Sequence, residues 1–372
     1  MKILHISSAK SFGGGEKHLV DLCRGLQSEG HDVYVAVRPT CEWKDRLDFL
    51  APGHLTFVTL RNSFGMFSAK RIARFINREG IEVLHAHLAR DYVPASLAGR
   101  LAKEVSVVLT RHVLFPLKPF YKFLLGNVAA VVGVSKPVIE SLSEIFPEEK
   151  LKLIPNGIDT HRRARSNRDE EGESFRNALG IPKEAHLIGI LGEISEVKGQ
   201  GDFLEMAEFV SEEFDNCRFI VVGKDNSGGS AIETLKRKVE GGNLKGRVDF
   251  IDWIDDTVPF HSALDVYVSA SRTESFGLSI VEAMAAGTPV VSTRTPGPSS
   301  YLKHGITALI TEIGSARSLA DAVIMILKDP RLGKELAIAA RAFALEHFSS
   351  NKMVAETADV YRQVKDSVRS VQ

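Results

Sequence analysis

The chain predicts an α/β protein of two doubly wound, Rossmann-like domains facing a central cleft. Three observations carry this. Apolar, β-branched runs alternate with helical patterns through both halves, as in parallel sheets covered by helices. Glycines stand at strand-to-helix turns in each half, Gly13-Gly14-Gly15 in the first and Gly277 in the second. At 372 residues the chain is too long for one ordinary domain and suits two.

Composition narrows the class. Lys plus Arg number 47 and Asp plus Glu number 47, a balance that argues against general nucleic-acid binding. Cys23, Cys41 and Cys217 are scattered without metal spacing, and so sparse and odd a set fits a reducing compartment. MKILHISSAKSFGGGE has no long apolar segment after its lysine and reads as a strand entering a loop, not a signal peptide. No stretch approaches the ~20 apolar residues of a membrane span. The expected location is therefore cytoplasmic.

In chain order, Lys2–Ser7 is the first buried strand. A helix follows with Leu19, Val20, Leu22 and Leu26 at helical spacing, ended by Gly30, and Asp32–Val37 is the next strand. The triple-glycine turn does not match G-x-G-x-x-G, so the dinucleotide fingerprint is not met. It reads either as a turn needing positive φ or as a ligand loop, and three glycines exceed what a turn needs. Leu55–Leu60 is a short strand and Ala69–Arg78 a helix. Ile81–Tyr92 is a strand entering a polar loop before a helix from Val93. His85 and His87 share one face of the extended segment, with His87 nearer its carboxyl end. That pair alone is a poor metal site without a third ligand nearby. Ser106–His112 is a strand with Arg111 and His112 at its carboxyl end. Leu114–Gly126 mixes large apolar residues with Lys118 and Lys122. It reads either as an interfacial element for an anionic membrane or as core packing with solvated lysines. Ala129–Ser135 is a strand, and KLIPNGID (Lys152–Asp159) closes the first domain with an Asn-Gly turn.

Thr160–Glu173 is charged in blocks and lacks large apolar residues, so it is expected to be a linker or loop. After Gly180 come a strand, a loop holding Lys198-Gly199, and a helix. Arg218–Asp225 is a strand and loop, Ala231–Glu240 a helix, and Val248–Asp256 a strand and loop. Leu264–Ala270 is a buried strand. From about Ser279 a helix runs to Gly287, its C-terminal stop, and Thr288-Pro289 turns into Val290–Ser292. A strand that ends in a glycine loop and opens a helix is a place for phosphate, because the first helical N–H groups are free and carry partial positive charge. Helices from Ala316 and from Arg331 finish the chain. The expected domains are 1–170, 171–345, and a terminal helix 346–372 crossing back to the first.

The string ESFGLSIVEAMAAGTPVV, with Glu274 and Glu282 separated by seven residues, resembles the E-x7-E signature of retaining GT-B glycosyltransferases, family four in particular. KLIPNGID and the V-x-H-x-H run Val83–His87 are similar to further strings of that family. The resemblance covers nearly the whole chain. It implies the GT-B fold and retaining transfer of a hexose or heptose from a nucleotide sugar, foremost a UDP-sugar, to an acceptor hydroxyl. It implies no metal and no other cofactor, and no D-x-D string is present. By the same resemblance the catalytic residues are His87, Lys198 and Glu274. Donor binding falls to Gly14, Gly15, Glu193, Lys198, Trp253, Ile254, Glu274, Phe276, Gly277, Leu278 and Glu282, with Glu274 on the sugar hydroxyls and Glu282 on the ribose. The acceptor side falls to Gly13, Glu16, Arg111 and His112.

The sequence departs from the family at one serious place. Where the family's loop has G-R-x-x-x-x-K-G, Glu193 replaces the arginine, and a carboxylate beside a diphosphate opposes binding unless it turns away. Either Arg111, Lys224 or another cation then substitutes, or donor binding is weak. Glu193 motivates a second reading, a sugar-nucleotide-binding protein with little turnover; a GT-B epimerase is a third, weakened by the E-x7-E string. The TRHVLFP string resembles bacterial transferases of lipopolysaccharide or other envelope glycans. It implies a glycan or lipid-linked acceptor and peripheral contact with the inner face of the plasma membrane through Leu114–Leu125.

Overall fold

A computed structural model describes residues 1–59, 65–160, 162 and 167–369. The chain forms two compact units. The first is Met1–Gly157 together with the chain from Ser350 onward; the second is Ile158–Ser349.

The first unit is built on seven parallel strands in the order β3-β2-β1-β4-β5-β6-β7. These are β1 (Lys2–Ser7), β2 (Asp32–Val37), β3 (Leu55–Phe57), β4 (Val83–Ala86), β5 (Ser106–Arg111), β6 (Val128–Gly133) and β7 (Leu151–Leu153). Strand β1 is central, with Ile3 opposite both Val33 and Val83. Past Lys2 every residue of β1 is buried, as a strand covered on both faces must be. Helices α1 (Gly14–Ser28), α2 (Met66–Glu79), α3 (Ala89–Leu101) and α5 (Lys136–Leu142) connect these strands, with a single turn α4 (Tyr121–Leu124) before β6. Leu60 lies outside the described residues, and the third strand stops at Phe57.

The second unit repeats the pattern with six parallel strands in the order β10-β9-β8-β11-β12-β13. They are β8 (His186–Leu191), β9 (Cys217–Val222), β10 (Val248–Ile251), β11 (Val266–Ser269), β12 (Val290–Thr293) and β13 (Leu309–Thr311). Its helices are α6 (Arg168–Ala178), α7 (Gln200–Glu213), α8 (Ser230–Glu240), α9 (Val258–Ala263), α10 (Leu278–Ala286), the turn α11 (Pro296–Ser299), α12 (Ala316–Lys328) and α13 (Pro330–His347). In both sheets the strand order reverses beside the first strand, at β1/β4 and at β8/β11. Open parallel sheets bind ligands at the carboxyl side of such switch points.

One expectation is corrected. The charged stretch Thr160–Glu173 is not all linker, because α6 begins at Arg168. Its polar composition hid how it is held. The Arg168 guanidinium donates to the carbonyls of Ser262, Leu264 and Gly287. Gly172 lies so close to Ser262 that a Cβ would meet its carbonyl oxygen at 2.7 Å. Residues from Ile158 onward belong to the second unit. At the other end the last helix, α14 (Ser350–Arg369), buries Met353, Val354, Ala358, Val360, Tyr361 and Val364 in the core of the first unit. Gly25 of α1 is where they meet, since a Cβ there would lie 2.3 Å from Val354.

Candidate active site

Most of the residues singled out in the sequence lie near the two switch points, while Trp253 and Ile254 follow the edge strand β10. In the second unit the centre is the loop after β11. Glu274 Oε2 accepts from Lys198 Nζ at 2.5 Å, and Oε1 accepts from the backbone N–H of Ser275 at 3.1 Å and of Phe276 at 3.4 Å. The carboxylate is thereby held at three points, and a charge-assisted pair with an amine is a strong one. Lys198 sits on a short 3-10 turn ended by Gly199, whose φ is +71°. A Cβ on Gly199 would lie 2.1 Å from the carbonyl oxygen of Ala270, so only glycine lets this loop rest against the end of β11. Gly277, at φ +85°, opens α10, and its hydrogen-bond ladder begins only at Ile280 and Val281. The N–H groups of Leu278 and Ser279 stand ahead of that ladder, as at any helix start.

The supporting groups were not legible in the string. Tyr301, from the segment after β12, donates to the Phe276 carbonyl at 2.7 Å and packs with Phe276 and Phe348. Tyr267 on β11 donates to Ser279 Oγ at 2.8 Å. Burial lifts both phenols above their ordinary range, so they stay protonated donors. Gly297 approaches so closely that a Cβ would meet the Ser275 backbone at 2.3 Å. This is why the P-G-P sequence packs as a helical turn against the loop.

Glu193 is exposed and turns to Asn226, whose amide donates to Oε1 at 3.0 Å. Its own carbonyl accepts from Gln200 at 2.9 Å. Of the cations considered as substitutes, Lys224 lies in the same unit, and its carbonyl accepts from Ile194 N–H beside Glu193. Trp253 is exposed, with its indole N–H on Asp255 at 2.7 Å, and Ile254 beside it is partly exposed. Glu282 is buried in α10, Oε2 lying 3.8 Å from Nε2 of the buried His261. It therefore sits deeper than Glu274, one turn further from the helix start.

In the first unit the switch point is occupied by histidines. His87 follows β4, His85 lies within it, His5 on β1, His18 on α1 and His112 just after β5. His85 is satisfied on both sides, by Tyr361 of α14 at 2.5 Å and by Thr110 at 2.7 Å, which fits a structural role. His87 Nε2 lies 3.0 Å from His5 Nδ1. Burial pushes all five imidazoles down, His5 to about 3 and His18 to about 4 despite its hydrogen bond with Asn156, and repulsion from neighbouring imidazoles adds to this at His5, His85, His87 and His112, so the cluster is neutral at pH 7. Arg111 is buried and donates to the Phe115 carbonyl. A cavity of about 260 Å³ is lined by His87, Arg90, Tyr92, Arg111 and His112.

The triple glycine does not supply positive φ: none of Gly13, Gly14 and Gly15 is left-handed. A Cβ on Gly14 would meet nothing within 4 Å, and one on Gly15 only the His112 ring at 3.9 Å. The loop is open ground at the start of α1, and the turn reading fails. Glu16 beside it is buried and its carboxyl is pushed up to about 6 by desolvation. Asp91, which accepts from Ser8 N–H at 2.9 Å, is pushed up to about 6 for the same reason.

Two family models match, and between them they span most of the chain: Glycosyltransferase Family 4 over residues 12–162 and Glycosyl transferases group 1 over 171–343. Among curated proteins, the N-acetyl-alpha-D-glucosaminyl L-malate synthase of Bacillus anthracis is 26% identical over 96% of this chain and 96% of its own length. The lipopolysaccharide core biosynthesis glycosyltransferase LpsE of Rhizobium meliloti is 28% identical over 91% and 92%. Among solved structures, Anabaena Alr3699/HepE in complex with UDP and glucose superposes with a TM-score of 0.84 at 21% identity, over 96% of this chain and 98% of that one. The chain belongs to the group 1, family 4 glycosyltransferases, retaining enzymes of the GT-B fold that use a nucleotide-sugar donor.

Proposed function

We propose that this enzyme moves a hexosyl or heptosyl unit from a UDP-sugar to a hydroxyl of a lipid-linked or envelope-glycan acceptor. The observation that carries the donor assignment is the Lys198–Glu274 pair at 2.5 Å beside the open start of α10. Lys198 and the first N–H groups of α10 are fixed donors for the diphosphate that gains charge as the sugar leaves, the arrangement that lowers a barrier most effectively. Glu274 is an acceptor-only group held rigidly for sugar hydroxyls. Glu282 is assigned to the ribose, and Trp253 and Ile254 to the base. His87, neutral, donates one hydrogen bond to the sugar or its phosphate. In the step itself the bond from the anomeric carbon to the acceptor oxygen forms on the face from which the phosphate departs. The acceptor's proton passes to that phosphate, so no protein carboxylate need be a nucleophile.

The acceptor assignment rests on the first unit. Leu117 and Leu125 are buried, while Phe115 is 70% and Phe123 82% exposed next to the exposed Lys118 and Lys122. Aromatic side chains flanked by lysines suit an anionic lipid surface. No helix among the described residues is long and apolar enough to cross a membrane, which leaves peripheral contact. One relative is named for lipopolysaccharide core synthesis and another, from Mycobacterium leprae, as a phosphatidyl-myo-inositol mannosyltransferase.

Calorimetric titration with UDP, GDP and ADP, on the wild type and on Glu282→Ala, tests the donor. Saturable UDP binding, weakened at least tenfold by the substitution, is expected. Preference for GDP or ADP overturns the UDP assignment, and no binding at all overturns the site. An inverted anomeric product would refute the same-face step. Sedimentation with anionic vesicles, lost in Phe115→Ser/Phe123→Ser, tests the membrane face; equal sedimentation of both proteins would refute it.

A further inference from the structure

What His87 can give a ligand depends on which of its ring nitrogens carries the proton, and its neighbour on β1 bears on that. Strands β1 and β4 pair in parallel with His5 opposite His85. The ladder runs on by one bond, from the His87 N–H to the Ile6 carbonyl at 3.2 Å. His87 lies two residues beyond His85, so the side chains of His5, His85 and His87 leave the sheet on one face. The rings of His5 and His87 stack 28° from parallel, with His5 Nδ1 3.0 Å from His87 Nε2. His5 is wedged in this orientation. The His85 ring lies 5.3 Å from it between centroids and the Tyr361 ring 6.4 Å. His85 is itself held by Tyr361 and Thr110.

We infer that His5 is a positioning residue for His87: its Nδ1–H donates to His87 Nε2 and so holds His87 in the Nδ1–H form, the one with a proton to offer the donor sugar or its phosphate. This rests on the role given to His87 above. A neutral imidazole carries one N–H, and the bond made by one nitrogen decides the state of the other. Burial keeps both rings neutral. Two arrangements then satisfy the 3.0 Å contact. In one, His87 Nε2 carries the proton. His87 Nδ1 is then bare, and His5 must carry its own proton on Nε2. That nitrogen is buried and has no hydrogen-bond partner among the described residues. His5 is wholly buried and is not one of the residues lining the cavity of about 260 Å³. Its N–H would be sealed in the core, and an orphaned buried N–H is a rarer state than an under-used acceptor. In the other arrangement the unpaired N–H belongs to His87 Nδ1, which also lacks a partner among the described residues. His87 does line that cavity, where a ligand can accept from it. The second arrangement is therefore the better one, and it is the one that suits donation.

The test begins with nitrogen NMR of the full chain, isotope-labelled at its 12 histidines, the His87 signals being assigned by their loss in His87→Leu. A protonated Nδ1 and a bare Nε2 on His87 are expected; a proton on Nε2 overturns the inference. The second arm compares His5→Phe, which keeps the bulk of the ring, with His5→Asn, which loses bulk but keeps an N–H donor near the place of Nδ1. Turnover is read as UDP release from a panel of UDP-hexoses. In His5→Phe kcat is expected to fall about 10- to 100-fold, as on losing one aligned hydrogen bond to a charged group. In His5→Asn, where a donor remains, the fall is expected to be less than about fivefold. A packing role alone predicts the opposite order, and that order, or equal losses in both variants, overturns the inference. If His5→Phe does not fold, as judged by circular dichroism, His5→Leu carries the same expectation. An unchanged kcat in His87→Leu removes His87 from the reaction and the inference with it. A lowered kcat in His87→Leu beside a proton on Nε2 refutes the role of His5 alone.

Discussion

At the residue scale, the Lys198–Glu274 pair is the centre of the donor site we propose. The Glu274 side chain is 12% exposed and that of Lys198 31%, so the ammonium is both held and reachable. Lys198→Ala removes the cation paired with the Glu274 carboxylate. The expected result is a fall in kcat of about 10²–10³, the cost of deleting a preorganised donor to developing charge. Steady-state kinetics at saturating donor check this, and a kcat within fivefold of the wild type would remove Lys198 from the mechanism. At this scale the sequence was informative where the motif was local. Lys198, Glu274, Gly277 and His87 could be named from short strings. Tyr301, Tyr267, Asn226 and His18 could not, because each acts on a partner distant along the chain, and no spacing rule connects them.

At the element scale, the loops after β8 and β11 depend on glycines that let backbone touch backbone. Gly199 combines a left-handed φ of +71° with a Cβ position 2.1 Å from a carbonyl oxygen. Gly199→Ala is expected to destabilise the protein by about 3 kcal/mol, from αL strain and the forced separation of the Lys198 loop from β11. Urea denaturation measures it; a loss below 1 kcal/mol would show that the loop moves freely away from the strand. The strands and most helices were legible because apolar periodicity is local. The element misread was α6, whose residues 168–178 are polar and which is fixed by arginine donation to distant carbonyls rather than by an apolar stripe.

At the scale of the whole molecule, the histidine cluster makes stability depend on pH. Each of the five has a folded pKa below its unfolded value near 6.5. Below pH 6.5 the unfolded chain gains protons that the folded cluster refuses. Their stabilising contribution is therefore complete above pH 6.5 and is lost as pH falls towards the folded values. For His18, at about 4, the loss is about 3 kcal/mol by pH 4. Asp91 and Glu16, both raised to about 6, act in the opposite direction: protonated when folded and still ionised when unfolded, they add stability as pH falls below 6. Five imidazoles outweigh two carboxyls, so Tm should fall steadily between pH 6.5 and 4.5. Melts at stepped pH, with His18→Gln and His87→Gln flattening the slope, check it. A Tm independent of pH in this window would mean that the cluster is hydrated and titrates normally.

The sequence by itself determined the two doubly wound halves, because parallel strands and amphipathic helices are written in local periodicity. It also determined the strand–loop–helix passage to which the donor is assigned, because Glu274, Gly277 and Glu282 lie within one local stretch. Only the tertiary structure decided the rest. It turned Glu193 towards Asn226, packed α14 into the core of the first unit, and brought His5, His18, the His85/His87 pair and His112 from four separate places into one neutral cluster. Those are contacts between residues up to hundreds of positions apart, such as His85 with Tyr361. They are made by the order of strands in a sheet, which no local pattern of residues encodes.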